Sequence, residues 1–277
     1  MLTRKEFLTS SSAFASAIAF GSVPSRKIPL MLDAKRMAIH DGPGIRTTFF
    51  VKGCPLRCVW CHNPESIRTE KQIARFQHLC RHCEKCTMDE VTCPTRALKF
   101  YGKSSTIDDL VKKALEDKPF YDRTGGGVTL SGGEPLFFWE WSFDFLTACK
   151  AEGLHTCLDT SLYAPPVAIE RLLPVVDMWL PDYKTDDDTL HRRFTGVSNR
   201  TIRTNLERLV AAKAKIEVRC LVVPGCTDGA DVENRRRYLN AIGIGDGQIV
   251  ELEYHDYARS KYTALGMEDT MPPNKGL

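Results

Sequence analysis

Cysteine is the residue whose distribution most constrains this chain. Eleven cysteines occur in 277 residues, and seven of them lie between positions 54 and 93 at short, regular spacings. A disulfide framework is typical of secreted chains of under about 100 residues, whereas this chain is long enough to bury a core without disulfides. Clustered thiols in a larger protein are typical of a metal centre. The sequence therefore predicts that residues 54–93 bind metal.

Six short runs rich in β-branched or aromatic residues alternate with helical patterns. The predicted strands are Thr47–Val51, Val128–Leu130, His155–Leu158, Met178–Leu180, Ile216–Val223 and Ile249–Glu253. The predicted helices are one capped by Thr106 and running through Leu115, and those over Trp139–Glu152, Val167–Leu173, Thr201–Ala214 and Val232–Ile242. Strands that alternate with helices form a parallel sheet with right-handed crossovers. The predicted fold class is therefore α/β, as an open, partial (β/α)6 barrel.

The interval between the first two predicted strands is far longer than an ordinary loop. It contains all the clustered cysteines. Residues 68–100 are therefore predicted to form a small inserted domain that metal holds together. The barrel would then comprise residues 26–67 and 101–277.

The first cysteine group has the spacing C-x3-C-x2-C and consists of Cys54, Cys58 and Cys61. An iron–sulfur cubane normally takes four cysteines, one for each iron. Three cysteines would leave one iron open to a substrate, as a catalytic zinc keeps one position free. A zinc ion with His62 as its fourth ligand is the alternative.

The second group has four cysteines at ferredoxin-like spacings, followed by Pro94: Cys80, Cys83, Cys86 and Cys93. Six residues rather than three precede the last of them, and no second run of this type follows. Four cysteines most simply complete one electron-transfer [4Fe–4S] cluster. A structural zinc site uses similar spacings and is the alternative here.

The first group, with Trp60 before its last cysteine, resembles the signature of the radical S-adenosylmethionine (SAM) superfamily. Residues 41–46 (DGPGIR) and 61–65 (CHNPE) resemble, more specifically, the activating enzymes of glycyl radical enzymes, a family that includes the pyruvate formate-lyase activator. The resemblance extends from about Met37 to the C-terminus. It implies the radical SAM type of partial barrel, with the cysteine-rich segment as a ferredoxin-like insert.

The resemblance also implies a set of SAM-binding residues, most of which lie just past a predicted strand. Residues 132–135 (GGEP) are similar to the family's GGE motif, whose backbone and carboxylate hold the amino end of SAM. The segment 182–184 (DYK) is similar to the D-x-K motif that borders the cofactor. The expected set is Trp60, Cys61, His62, Gly132, Gly133, Glu134, Asp159, Asp182, Tyr183, Lys184, Arg219 and His255. Active sites of barrels and open α/β sheets assemble at this face.

The activity that the resemblance implies begins with SAM chelating the open iron. One electron then cleaves SAM to methionine and a 5′-deoxyadenosyl radical, which removes a hydrogen atom from a glycine of a partner enzyme. Reduced flavodoxin or ferredoxin is the expected electron donor, and the second cluster would relay electrons. The alternatives are another radical SAM reaction, such as activation of anaerobic ribonucleotide reductase or modification of another protein, and an exported, non-catalytic iron–sulfur protein.

Residues 1–25 differ from the rest of the chain. Arg4 and Lys5 precede a segment rich in alanine and serine, which resembles a twin-arginine export signal with lysine as its second basic residue. A non-functional extension is the alternative. The usual partners of the family belong to the cytoplasm, which is the expected location, although a working leader would direct export to the periplasm. A net charge of +3 does not indicate nucleic-acid binding, and no apolar run has the roughly 20 residues of a membrane span.

Overall fold

The computed structural model describes residues 27–274, so the leader-like segment lies outside the described residues. The strands of the described part are β1 (Leu30–Ala38), β2 (Arg46–Lys52), β3 (Gln72–Arg75), β4 (Leu98–Tyr101), β5 (Gly127–Gly132), β6 (His155–Thr160), β7 (Met178–Pro181), β8 (Val218–Val222) and β9 (Ile249–Glu253). Every predicted strand is present, at bounds close to those expected.

The parallel strands follow one another across the fold in chain order. Strands β2, β5, β6 and β7 pair in parallel within one sheet, and β8 pairs in parallel with β9. Parallel bridges from Trp179 to Ile216 and from Asp182 to Arg219 connect β7 to β8. The prediction of a partial barrel of six parallel strands is therefore confirmed.

Strand β1 pairs antiparallel with β2 and forms the edge of the main sheet. This strand was not predicted from the sequence, because its residues do not alternate cleanly between polar and apolar. Two irregularities in the pairing, between Met31 and Asp33 and between Lys35 and Ala38, explain the missing alternation, since a bulge shifts the side-chain register by one residue.

The helices are α1 (Ile107–Leu115), α2 (Lys118–Thr124), α3 (Trp139–Ala151), α4 (Pro166–Leu172), α5 (Asp188–Thr195), α6 (Arg200–Ala211), α7 (Ala230–Ala241) and α8 (Arg259–Ala264). Thr106 caps α1 as expected, because its hydroxyl accepts a hydrogen bond from the Asp109 amide at 3.1 Å. The unpredicted helices α2, α5 and α8 have only six to eight residues each, too few for a clear helical periodicity.

The main core lies between the sheet and the helices that cover it. Phe49, Leu130, Leu158 and Trp179 are fully buried on successive parallel strands. Phe145 of α3 packs edge-on against Phe49, with ring centroids 5.3 Å apart. Because both faces of these strands are covered, their sequences are continuous apolar runs.

The cysteine-rich segment lies between the strands of a separate small sheet. Strand β3 pairs antiparallel with β4, from Gln72 opposite Tyr101 to Arg75 opposite Leu98. Ala74 and Tyr101 of this sheet pack against Ala264 of α8. Within residues 27–274, no helix is both long enough and apolar enough to cross a membrane.

Candidate functional site

A cavity of about 400 Å³ lies at the carboxyl ends of the parallel strands. Loops that follow several different strands converge on it, as expected for this fold. Its walls contain the three cysteines of the first group and most of the predicted SAM-binding residues: Cys54, Cys58, Trp60, Cys61, His62, Gly132, Gly133, Asp159, Asp182, Lys184, Arg219 and His255.

The loop that carries the first cysteine group is held on one side by α5. The amide of Arg57 donates to the Thr195 carbonyl at 2.8 Å, and the amide of Val59 donates to the Phe194 carbonyl at 2.9 Å. Both acceptors lie in the last turn of α5, where carbonyl groups have no partner within the helix. The loop therefore uses the free carbonyls of a neighbouring helix to satisfy its own backbone.

The opposite side of the same loop is held by α8 and the residues after it. Tyr262 donates its hydroxyl to the Cys61 carbonyl at 3.0 Å, and Thr270 donates to the Val59 carbonyl at 3.0 Å. Lys261 donates to the His62 carbonyl at 3.0 Å and pairs with the buried carboxylate of Glu65 at 2.6 Å. The protein thus fixes the shape of the cysteine loop with its own hydrogen bonds.

The three thiols of this loop are free and have the chemistry of cluster ligands. Burial raises the pKa of Cys61 to about 12, and it also raises the pKa of Cys54 and Cys58 above the usual value for a thiol. Metal coordination reverses this effect, because a bound cation deprotonates its thiol ligand. Burial therefore favours neutral thiols at this site, and a bound metal ion would favour thiolates.

The two glycines of the GGE segment allow β5 to approach the base of the cysteine loop. A Cβ on Gly132 would lie 2.4 Å from the Val51 nitrogen, and one on Gly133 would lie 2.3 Å from the Gly53 oxygen. The Gly133 amide donates to the Val51 carbonyl at 2.8 Å, and the Glu134 amide donates to the Gly53 carbonyl at 2.9 Å. Glycine is required here because backbone packs directly on backbone.

The carboxylate of Glu134 does not have the position expected for a SAM ligand. The residue is only 1% exposed, and its carboxylate accepts hydrogen bonds from the Leu136 amide, the Thr160 hydroxyl, and both the amide and the hydroxyl of Ser161. Burial raises the pKa of Glu134, and these hydrogen bonds oppose that rise. The structure therefore does not bring this carboxylate into the cavity, and its oxygens connect the ends of β5 and β6.

Charged side chains of opposite sign lie along one wall of the cavity. Lys184 pairs with Asp182 at 3.0 Å, and Arg219 lies 3.7 Å from Asp159 and donates to the His40 carbonyl at 2.7 Å. Burial raises the pKa of Asp159 to about 6, with Arg219 opposing the rise and Asp182 adding to it. This wall can interact with both the cationic and the anionic groups of a zwitterionic ligand.

Tyr183 is the other predicted residue that the structure does not place in the cavity. Its hydroxyl donates to Asp186 at 2.6 Å, and its ring stacks on Tyr238 of α7 with centroids 5.4 Å apart. Successive side chains of an extended segment point to opposite faces. Asp182 and Lys184 therefore face the cavity, whereas Tyr183 faces the helices. The structure therefore does not bring the side chain of Tyr183, one of the expected SAM-binding residues, into the cavity.

Two histidines, His62 and His255, also line the cavity. The rings of His62 and His255 lie 4.0 Å apart, and Nε2 of His62 is 2.5 Å from the His255 carbonyl. His255 in turn stacks on the exposed ring of Tyr257 at 4.5 Å. In the described part of the chain, no group hydrogen-bonds the buried Nδ1 of His255, which leaves this nitrogen for a ligand.

Some residues of the cavity were not predicted. Ser131 lines the wall and donates its hydroxyl to Asp159 at 2.6 Å. Ser131 directly follows the predicted strand Val128–Leu130, and this position at a strand end could have identified it as a site residue. Asn63, Thr160 and Ser161 also line the cavity, whereas Lys261 and Tyr262 act from outside it and had no recognisable pattern.

The four cysteines of the second group lie together at a second site. They line a cavity of about 80 Å³, with Arg75 of β3 beside them: Cys80, Cys83, Cys86 and Cys93. Nη2 of Arg75 lies 3.6 Å from the Cys86 sulfur and 3.5 Å from the Met88 sulfur. The insert thus brings four thiols and one guanidinium group into a single small space.

Comparison with known proteins agrees with the fold. The model of the radical SAM superfamily matches residues 48–235. The chain is 37% identical over 274 residues to the (2S)-3-sulfopropanediol dehydratase activating enzyme of Klebsiella oxytoca, with 86% of each chain covered. It is 34% identical over 273 residues to the benzylsuccinate synthase activating enzyme of Thauera aromatica, covering 87% of this chain and 82% of that one. It is also 34% identical over 258 residues to the pyruvate formate-lyase 2-activating enzyme of Escherichia coli (strain K12), covering 92% of this chain and 88% of that one.

Among solved structures, Streptococcus suis SuiB bound to the precursor peptide SuiA matches with a TM-score of 0.51 and 14% identity. The match covers 76% of this chain and 39% of SuiB, and it supports the fold alone.

The match of residues 48–235 to the superfamily model shows that the chain is a member of the radical SAM superfamily. The three relatives named above are all activating enzymes. Within the superfamily, the chain belongs to the glycyl-radical-enzyme activating enzymes, as the motifs predicted. Membership of this family implies a [4Fe–4S] cluster and SAM as cofactors.

Proposed function

We propose that the cavity at the carboxyl ends of the strands is where this chain cleaves SAM to make a glycyl radical on a partner enzyme. Cys54, Cys58 and Cys61 are the protein ligands of the cluster in this proposal. One observation carries it: the three thiols share a single cavity with the Gly132–Gly133 backbone, the D-x-K side chains and His255. The cluster held there would supply the single electron that splits SAM into methionine and a 5′-deoxyadenosyl radical, and this radical would take hydrogen from glycine.

The residues around the cavity bind and orient the cofactor. The carbonyl groups of Gly132 and Gly133 can accept from the SAM amino group, and Lys184 and Arg219 can pair with its carboxylate. His255 offers its free Nδ1, which could bond a ribose hydroxyl of the cofactor. Buried walls such as Trp60, which is 4% exposed, exclude water from the radical.

We further propose that residues 68–100 are an inserted domain that binds a second [4Fe–4S] cluster. The support is that Cys80, Cys83, Cys86 and Cys93 line one small cavity. Such a cluster would relay electrons from reduced flavodoxin or ferredoxin in the cytoplasm. Zinc in place of this cluster would leave the insert with a structural role only.

Anaerobic reconstitution followed by dithionite and SAM tests both parts of the proposal. We expect about eight irons per chain, the content of two cubane clusters, and formation of 5′-deoxyadenosine. Cys58→Ala should abolish that product. Cys83→Ala should keep it, because dithionite reduces the first cluster directly, and should lose about four irons.

The matched variant Cys149→Ala removes a buried cysteine of the main core and should change neither iron content nor product. The assignment of the two sites would be wrong if Cys83→Ala lost the product while Cys58→Ala retained it. Zinc in place of iron at the insert would contradict the second cluster alone. A candidate partner mixed with active enzyme and SAM should give the electron paramagnetic resonance doublet of a glycyl radical.

A further inference from the structure

The insert carries a second, larger depression beside the four-cysteine cavity. This groove has a volume of about 870 Å³ and runs from Cys93 to Ser260 of α8. Cys93 lines both the groove and the four-cysteine cavity, so the two spaces share a wall. Ser260, another residue of its lining, is next to Lys261, which holds the loop of the first cysteine group. The groove is therefore lined by one residue of the four-cysteine cavity and by a neighbour of the residue that holds the first cysteine loop.

The charge of the groove is positive. Arg96, Lys99 and Lys103 line it and are exposed, whereas Glu90 is its acidic member. One oxygen of Glu90 accepts from the Phe100 amide at 2.9 Å. Residues 68–103 as a whole also have an excess of positive charge, with eight Lys and Arg against four Asp and Glu. The net charge of the whole chain is only +3.

The groove also has apolar residues at its surface. Val91 is 91% exposed and Leu79 is 42% exposed, and both line the groove. Exposed apolar side chains with a polar rim occur at surfaces that bind another protein. Positive charge at such a surface attracts an acidic partner and speeds its association.

We infer that this groove is the docking site for the protein that supplies the electrons, an acidic one-electron carrier. The inference rests on the proposed second cluster, and it locates the entry of electrons at Cys93. The transfer itself moves one electron: the carrier is oxidised by one electron, the four-cysteine site is reduced by one, and no bond is made or broken. The shared wall at Cys93 gives the docked carrier its shortest approach to that site.

The test compares two double variants that carry the same chemical change. Lys99→Glu/Lys103→Glu reverses two charges of the groove, and Lys213→Glu/Lys215→Glu reverses two exposed lysines just before β8, at the opposite end of the barrel. Each reconstituted enzyme is mixed anaerobically with reduced flavodoxin, and stopped-flow absorbance follows reduction of the iron–sulfur clusters. The same measurement with dithionite controls for the integrity of the clusters.

We expect the groove variant to react with flavodoxin about tenfold more slowly at low salt, in keeping with the usual size of electrostatic steering. Added salt should reduce the difference, because it screens the remaining charges. The rates with dithionite and the iron contents should match those of the unmodified enzyme. The Lys213→Glu/Lys215→Glu control should retain the original rate with both reductants.

Equal flavodoxin rates for the two double variants, with full iron content in both, would overturn the docking site and leave the proposed function intact. A loss that is equally large with dithionite would indicate damage to the clusters and would also count against docking. If Cys83→Ala loses no iron, the proposed second cluster is wrong, and the docking inference that depends on it is wrong as well.

Discussion

The replacement of Glu134 by glutamine separates a structural role of this residue from a role in SAM binding. The carboxylate accepts from Leu136 and Thr160 on one oxygen and from the amide and hydroxyl of Ser161 on the other. An amide group has the same shape but only one acceptor oxygen. Whichever way it is oriented, its NH₂ group faces one of the two backbone N–H donors, from Leu136 or from Ser161.

The loss of stability follows from the one backbone N–H that would face the NH₂ group of glutamine. The hydroxyl of Thr160 or Ser161 can rotate to accept from the new NH₂ group, whereas a backbone N–H cannot. A buried donor without an acceptor costs about 1–3 kcal/mol. We therefore expect Glu134→Gln to lower the free energy of unfolding by about 2 kcal/mol, which for a chain of this size is a decrease of roughly 4–8 °C in melting temperature.

Anaerobic thermal unfolding of the reconstituted enzyme, followed by circular dichroism without SAM, measures this change. Glu152→Gln is the matched control, because Glu152 is exposed at the end of α3 and its replacement should alter stability by less than about 0.5 kcal/mol. SAM affinity, measured by calorimetry, should stay within about threefold, a change of under about 1 kcal/mol. An unchanged melting temperature together with a tenfold or greater loss of SAM affinity would refute the structural role and restore Glu134 as a ligand.

Other predictions concern the cysteine loop, the insert and the edge of the sheet. Lys261→Met should lower stability by about 2 kcal/mol, between the values for surface and buried ion pairs, because it leaves Glu65 unpaired; unfolding and iron retention during anaerobic gel filtration measure the loss. Arg75→Gln should lower the reduction potential of the proposed second cluster in a redox titration, because it removes a positive charge beside Cys86. Hydrogen bonding by Arg36 lowers the pKa of Asp117, so this carboxylate stabilises the fold above its unfolded pKa of about 3.9 and loses that effect at lower pH. Asp117→Asn should therefore be less stable at pH 7 and should lose less stability on acidification, as measured by urea unfolding.

Each of these predictions has a specific contradicting result. Full iron retention and stability in Lys261→Met would show that α5 holds the cysteine loop without α8. An unchanged potential in Arg75→Gln would mean that the guanidinium group does not interact with the second cluster. An Asp117→Asn variant whose stability depends on pH as the original does would assign the acid sensitivity to other carboxylates.

Much of the fold was predictable because its signals are local. The strand Val128–Leu130 and the cap at Thr106 each depend on a few neighbouring residues, and both appear where they were expected. Helix α8 and strand β1 were not predicted, because their local sequences carry no clear periodic signal. Six residues do not establish a helical period, and the irregular pairing of β1 conceals its alternation.

The sequence by itself determined the chemistry of this protein. Thiol spacing and strand-end motifs are properties of consecutive residues, so Cys54, Cys58 and Cys61 could be assigned to one loop without knowledge of the fold. Only the tertiary structure decided how the other side chains are used. It directs the carboxylate of Glu134 into four hydrogen bonds, turns Tyr183 toward α7, and supports the cysteine loop with residues such as Lys261, about 200 positions away in the chain. Such roles depend on which distant atoms meet, and a hydrogen-bonding group satisfied within the protein is no longer available to a ligand.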